Sequence, residues 1–332
     1  MRHGLLDKSD LMAAREALGD AVHRTPLWSS ASLSSMSGNS VLLKAELFQK
    51  TGSFKARGLL YRVLRATEDE RARGFVSISA GNAAAALAWA ARRVGSHATI
   101  VMKRDAVRSK VEATESYGGE VVFTDHDYMA TCNAVRDERG LTFVHPFDDL
   151  DVLAGHGVVG LEILEDANDL DAVVVPVGGG GLIGGIAAAV KAVRPEVEVI
   201  GVEPVGAAAM TRSLESGRVE TLDEVDTVAD GLAAPFAGEN TLSHAQALVD
   251  RIVLVDDREI LEALGLLWTR CKLAAEPAAA AAVAAVLTGR TGLREKTVAC
   301  VVSGGNVDLA LVALAIDPGK SKIVQNKYFF NA

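Results

Sequence analysis

Short, uninterrupted apolar runs alternate along the chain with longer runs that are apolar at every third or fourth position. Gly74–Ser79, Ala98–Met102, Glu120–Phe123 and Leu141–Val144 are of the first kind. Ala83–Val94, Arg108–Tyr117 and Tyr128–Arg136 lie between them and are of the second. A second series opens with Asp171–Val177, continues through the amphipathic stretch Leu182–Val193, and reaches Val197–Val202. Val253–Val255 and Val298–Val302 are later short runs. A valine-rich run without polar alternation marks a strand buried on both faces, as parallel sheets require. The succession of strands and helices therefore predicts an α/β fold, with parallel sheets flanked by helices. Ligands of such sheets sit at the carboxyl ends of the strands. No internal repeat and no low-complexity linker interrupts the pattern.

Composition narrows the partners. A length of 332 residues suits two domains or one large α/β unit, and 49% hydrophobic content supplies a large core. A net charge of −9, without any block of lysine or arginine, argues against nucleic acid and anionic membranes as partners. The longest apolar run, Pro277–Leu287, is mostly alanine and too short to span a bilayer. Met1–Leu11 does not resemble a signal peptide. The three cysteines, Cys132, Cys271 and Cys300, are widely spaced; they suit a reducing cytoplasm and read as small buried hydrophobes. The seven histidines show no metal-ligand spacing. His145, before Pro146, reads as structural, and His156 is placed near the site.

The chemistry begins at four consecutive glycines, Gly178, Gly179, Gly180 and Gly181, between the Asp171–Val177 strand and the following helix. Unpaired N–H groups and the helix dipole there favour a phosphate. Two ligands compete for this cradle. Gly179, Gly181 and Gly184 satisfy G-x-G-x-x-G, and Glu203 ends the next strand where a ribose-binding acid would sit, as in a nicotinamide oxidoreductase. Pyridoxal phosphate is the rival. It needs a phosphate cradle, a lysine for a Schiff base, a partner for the pyridine nitrogen and a place for the substrate carboxylate.

Each of these has a candidate. Lys55, after Phe54 in Lys50-Thr-Gly-Ser-Phe-Lys-Ala-Arg-Gly58, is surrounded by small residues, whereas Lys44 and Lys50 read as ordinary solvated lysines. A Schiff-base lysine must be neutral part of the time, which desolvation provides. Ser79-Ala-Gly-Asn82 ends a strand and opens a helix, so its backbone can bind an anion and Asn82 can donate to an oxygen. Its alternative is a plain helix cap. Ser303, in Val301-Val-Ser-Gly-Gly-Asn306, can donate to a pyridine nitrogen without keeping it protonated, which favours β-elimination over long-lived carbanion chemistry. In isolation the same motif is a turn.

Gly52-Ser-Phe-Lys-Ala-Arg-Gly58, Ser79-Ala-Gly-Asn82, Gly178-Gly-Gly-Gly-Leu182, Gly201-Val-Glu-Pro204, Ala229-Asp-Gly231, Glu276-Pro277 and Ser303-Gly-Gly-Asn306 occur in the order found in fold-type II pyridoxal-phosphate enzymes. The chain resembles the threonine/serine dehydratases (ammonia-lyases) and serine racemases of that group, from Arg24-Thr-Pro26 to Asp308. The resemblance implies a two-domain, tryptophan synthase β-like architecture. Its large domain comprises 1–76 plus 148–318, and its small mobile domain 77–147. The tail 319–332 follows. The resemblance also implies a homodimer. Because the chain ends soon after the catalytic portion, no C-terminal regulatory module and no isoleucine inhibition are expected.

The same resemblance assigns roles. Lys55 carries the cofactor and is the base at the α-carbon. Phe54 packs beside the cofactor and Asn82 bonds its phenolic oxygen. Gly178, Gly179, Gly180, Gly181 and Leu182 bind the phosphate, and Ser303 bonds the ring nitrogen. Ser79, Ala80, Gly81 and Asn82 bind the substrate carboxylate, while Gly231 and Glu276 line the ring. The implied reaction is β-elimination from L-threonine or L-serine to a 2-oxo acid and ammonia. Hydroxyaspartate or an aryl-serine, racemisation and β-replacement are the alternatives.

Three departures from the family pattern matter. Ala80 stands where racemases carry a second acid/base serine, which favours elimination. Ala209 replaces the aspartate that accompanies Glu203 in divalent-metal sites, so no such metal is expected, and a monovalent ion near Glu203 stays open. Ala83–Ala86 follow the asparagine loop where histidine is usual, and the usual Ala-Gly-Gln-Gly-Thr segment reads Ala154-Gly-His-Gly-Val158. Tyr128 falls at the position of a racemase arginine that meets substrate carboxylates. These changes favour threonine over a β-carboxylated substrate.

Overall fold

The computed structural model describes residues 4–79 and 81–317. Ala80 and the tail 319–332 lie outside the described residues. Among the described residues ten strands form two sheets: β1 (Leu27–Ser29), β2 (Ser40–Ala45), β3 (Phe75–Ile78), β4 (Ala98–Lys103), β5 (Glu120–Thr124), β6 (Thr142–Phe143), β7 (Ala172–Pro176), β8 (Glu198–Pro204), β9 (Arg251–Val255) and β10 (Thr297–Val302). The larger sheet has the order β1-β2-β10-β7-β8-β9, parallel apart from β1. The smaller, fully parallel, has the order β5-β4-β3-β6.

The apolar runs become strands because both of their faces are covered. Val174, Cys300 and Val302 face a layer that contains the alanine helix Pro277–Leu287, buried from Pro277 to Val286. Val173, Val175, Ala299 and Val301 face the helix Gly181–Val193 and its neighbours. Pro277–Leu287 is therefore a core helix, and among the described residues no helix is long and apolar enough to cross a membrane. Cys132 and Cys300 are buried as expected, whereas Cys271 is only half-buried.

Close helix contact brings the functional segments together. A Cβ on Gly185 would lie 2.2 Å from the Leu153 carbonyl oxygen, and one on Gly58 would lie 2.4 Å from His156 Nε2. Glycine at those two positions lets the helix Leu150–Asp166 lie against both Lys55–Arg65 and Gly181–Val193. The glycine loop, Ser303 and Ser79 follow β7, β10 and β3, so all three lie at carboxyl ends of parallel strands.

One expectation fails here. Lys44 is not solvated: it is fully buried on β2, paired in register with Val301. Its Nζ donates to Glu162 Oε2 and to the Thr25 carbonyl, each at 2.6 Å. Beside it, fully buried Arg57 donates to Glu46 Oε2 at 2.8 Å and to Glu162 Oε1 at 2.7 Å. Two cations and two carboxylates thus neutralise one another inside the protein. Burial opposes the charge on Glu46, and the Arg57 guanidinium more than offsets it, holding that carboxyl below its ordinary value. Removing one partner strands the others in a dry site. Arg57→Ala should cost about 3–5 kcal/mol in urea unfolding; a loss below about 1 kcal/mol would show that the cluster is solvated.

Candidate active site

The segment before Lys55 is pinned to the end of β10. Ser53 and Gly304 form an antiparallel bridge. The Phe54 N–H donates to the Ser303 carbonyl, and the Gly305 N–H to the Gly52 carbonyl, each at 3.0 Å. The chain then enters the helix Lys55–Arg65, so Lys55 stands at its first turn with a fixed origin. Its Nζ donates to the Pro146 carbonyl at 2.7 Å and lies 5.1 Å from the centre of the Phe54 ring. Burial pushes the Lys55 ammonium down to about 8. An amine of this kind is a nucleophile and base near neutral pH, unlike a solvated lysine.

The glycine loop leaves β7 and closes into the helix Gly181–Val193, with Gly180 at φ +91°. Added Cβ atoms would lie 2.5 Å from the Phe147 ring at Gly179, 2.7 Å from the Phe147 carbonyl oxygen at Gly181, and 3.1 Å from Leu232 Cα at Gly178. Only backbone fits between these walls. Thr241 Oγ1 donates to the Gly179 carbonyl at 2.8 Å, which anchors that oxygen. The first-turn N–H groups have no acceptor within the helix and offer themselves to an anion. Leu182 is buried in the core, so its contribution at the loop is its backbone.

The third wall joins the two sheets. Asn82 opens the helix Asn82–Arg93 after β3, and its Nδ2 donates to Glu276 Oε1 at 2.8 Å. The Glu276 carboxyl lies 3.7 Å from where a Cβ on Gly231 would stand. Burial, with Asp230 nearby, pushes it up to about 8. Ser303 is buried at the end of β10, and the Gly81 N–H donates to Ser79 Oγ at 3.1 Å. The segments of Phe54, Lys55 and Glu276 are thus bonded to the Ser303–Gly305 loop after β10, while Gly178–Gly181 follow β7 and Ser79, Gly81 and Asn82 follow β3.

Other residues fall differently. Glu203 is wholly buried, and its carboxylate accepts from the N–H groups of Met210 and Thr211, each at 2.8 Å, and from Thr211 Oγ1 at 2.6 Å. It caps the helix Ala209–Ser216, and burial raises it to about 7. Among the described residues no group of three or more His, Cys, Asp or Glu is placed to hold a metal. Tyr128 Oη accepts from the Lys103 N–H at 3.1 Å. His145 Nδ1 accepts from the Asp148 N–H at 2.8 Å and shapes the turn at Phe147. His156 is buried 4.7 Å behind the Phe54 ring, and neither ring nitrogen has a hydrogen-bond partner. Phe147, Pro146, Thr241 and Asn306 also build the site. Sequence reasoning gave them no role, because nothing local ties them to the glycines or the lysine.

A desolvated amine, an anion cradle and a buried serine hydroxyl suit pyridoxal phosphate, whereas Glu203, the acid a dinucleotide's ribose would need, is spent on capping a helix. The family described as "Pyridoxal-phosphate dependent enzyme" matches residues 18–304. The chain belongs to that family. An L-threonine ammonia-lyase of Thermotoga maritima is 42% identical over 96% of this chain and 80% of its own length. A phenylserine dehydratase of Ralstonia pickettii is 40% identical over 93% of this chain and 96% of its own. The structure of maize serine racemase has a TM-score of 0.90 at 35% identity, covering 95% of this chain and 98% of that one.

In this pyridoxal-phosphate enzyme the lysine carries a pH signature of its own. Lys55 titrates at about 8 when folded and about 10.4 when unfolded. Between those values the unfolded chain binds more protons, so folding gains stability as pH rises. With the cofactor removed, the stability of the wild type relative to Lys55→Met should rise by roughly 2 kcal/mol from pH 8 to pH 10. A difference that stays flat over that range would contradict the desolvated amine.

Proposed function

We propose that the protein is an ammonia-lyase that converts a β-hydroxy amino acid, with L-threonine or L-serine preferred, into a 2-oxo acid and ammonia. The observation that carries this reading is the Lys55 amine, brought down to about 8 by burial and held on the Pro146 carbonyl, beside the Phe147 that walls the glycine loop. Bound pyridoxal phosphate supplies the electron sink that makes the substrate's α-proton acidic. Lys55 would hold that group through its Nζ until the substrate is bound. The freed Lys55 Nζ is then the base that removes the α-proton.

The other residues orient and bind. Backbone N–H groups of Gly178, Gly179, Gly180, Gly181 and Leu182 take the phosphate, and Thr241 keeps the Gly179 carbonyl turned away from it. Asn82 donates to the ring oxygen, and Ser303 donates to the ring nitrogen. Phe54, Gly231 and Glu276 bound the ring. Ser79, Ala80, Gly81 and Asn82 take the substrate carboxylate. The β-hydroxyl leaves as water, and water returns when the nitrogen is hydrolysed off. L-threonine therefore gives 2-oxobutanoate and ammonia with no net water.

Ala80 carries no ionisable group where the racemases that this sequence resembles carry a serine, so that second acid/base for racemisation is missing from the sequence. The phenylserine dehydratase relative favours an aryl-serine as the second reading. A panel of L-threonine, L-serine, phenylserine and hydroxyaspartate, scored for 2-oxo acid and ammonia, tests both readings. L-threonine or L-serine should lead, and Lys55→Ala should lower kcat by about 10³-fold or more. D-serine formed from L-serine as fast as pyruvate would refute elimination as the main reaction.

A further inference from the structure

We infer that Asn306 and Glu276 are positioning residues that hold the Asn82 amide in one of its two orientations, with one N–H turned into the cleft. The inference rests on the cofactor reading above for what that N–H meets.

The orientation follows from counting donors and acceptors. Asn306 Nδ2 lies 2.8 Å from the Thr51 carbonyl oxygen and 2.7 Å from Asn82 Oδ1. A backbone carbonyl can only accept, so the Asn306 atom facing it must be the nitrogen. That nitrogen has two hydrogens, and the second needs an acceptor as well. The Asn82 atom facing Asn306 is therefore the amide oxygen, and the Asn82 nitrogen lies on the far side. There it donates one hydrogen to Glu276 Oε1 at 2.8 Å. Its second hydrogen has no acceptor among the described residues.

Each end of this relay is itself fixed. Thr51 adopts φ +59°, a conformation rarely taken by a residue other than glycine, and this presents its carbonyl to Asn306. A Cβ on Gly52 would come within 2.6 Å of Asn306 Oδ1, so the other side of that amide is packed against the same turn. The Glu276 N–H donates to the Gly304 carbonyl at 3.0 Å, and a Cβ on Gly304 would lie 2.5 Å from Glu276 Oε1. Thr51, Glu276 and Asn306 belong to loops at the six-stranded sheet, whereas Asn82 follows β3 of the four-stranded one. The relay thus spans the cleft. Asn306 itself is exposed and outside the core, so its loss removes two hydrogen bonds and a local contact at the Thr51 turn and leaves the core packing intact.

The test is a pyridoxal phosphate titration, followed by the visible absorbance of the bound cofactor. It compares wild type, Asn306→Ala, Asn306→Asp, Asn82→Ala and the Asn82→Ala/Asn306→Ala double variant. Asn306→Asp keeps the shape and removes both donors. Asn306→Ala and Asn306→Asp should each weaken binding about tenfold and shift the visible band, with the urea midpoint of the cofactor-free protein unchanged. The double variant should bind no more weakly than Asn82→Ala, because the two residues act through one amide. Binding within about twofold of wild type for both Asn306 variants, or losses that add in full, would overturn the positioning role. Failure of the wild type itself to bind pyridoxal phosphate would overturn the cofactor reading, and with it the role given to the free N–H.

Discussion

The rest of the structure is arranged around a lysine amine that is taken out of water without a carboxylate to compensate it. Such a group raises the folded state's free energy wherever it is charged, so its position must be imposed by its surroundings. Here the imposition comes from hydrogen bonds and ion pairs of the residues next to it in the chain. The residue before Lys55 is bonded to the end of β10, and the residue two positions after it is locked into a buried cluster of four charges. Lys44, Glu46, Arg57 and Glu162 come from β2, the turn after it, the lysine helix and the helix Leu150–Asp166. That cluster fixes the lysine helix both to the sheet and to the helix behind it. Cutting any one of its links leaves an unpaired charge in a dry place, so the anchor is rigid in a way that apolar packing alone would not be.

The same logic extends to the anion cradle and the cleft. A glycine loop is permissive by nature, and its usefulness depends on neighbours that remove its freedom. Phe147, Leu232 and the Thr241 hydroxyl do so from three directions. Across the cleft, Asn82 is oriented by Asn306 and Glu276, which have no sequence proximity to it. Rigid backbone at strand ends, with polar side chains oriented from a second layer, is what a site needs when it must hold a cofactor ring at a fixed angle to a base.

Much of this was legible in the sequence because it is local. The β7 run, the four glycines and the following helix are contiguous, so their period and composition declare a strand, a turn and a helix N-terminus. Ser79–Asn82 and Ser303–Asn306 sit at strand ends for the same reason. The ordered series of motifs then separated one phosphate ligand from the other. What was not legible depends on distant partners. Lys44 looks like a solvated lysine until Glu162 is brought within 2.6 Å of it. Glu203 looks like a ribose or cation ligand until the helix after β8 presents two N–H groups to it. Thr241 reaches the glycine loop across 62 residues of chain. β1 and β2 were missed because one is three residues long and the other carries a lysine, so neither shows the continuous apolar run of the central strands.

The central claim is that Lys55, and no other lysine, is the amine at the reacting position. It is tested most directly by loading the protein with pyridoxal phosphate, reducing it with borohydride, and locating the modified lysine by peptide mass spectrometry. The account predicts the label on Lys55 alone. A label on Lys44, Lys110 or any other lysine, or a protein that takes up no label, would contradict it.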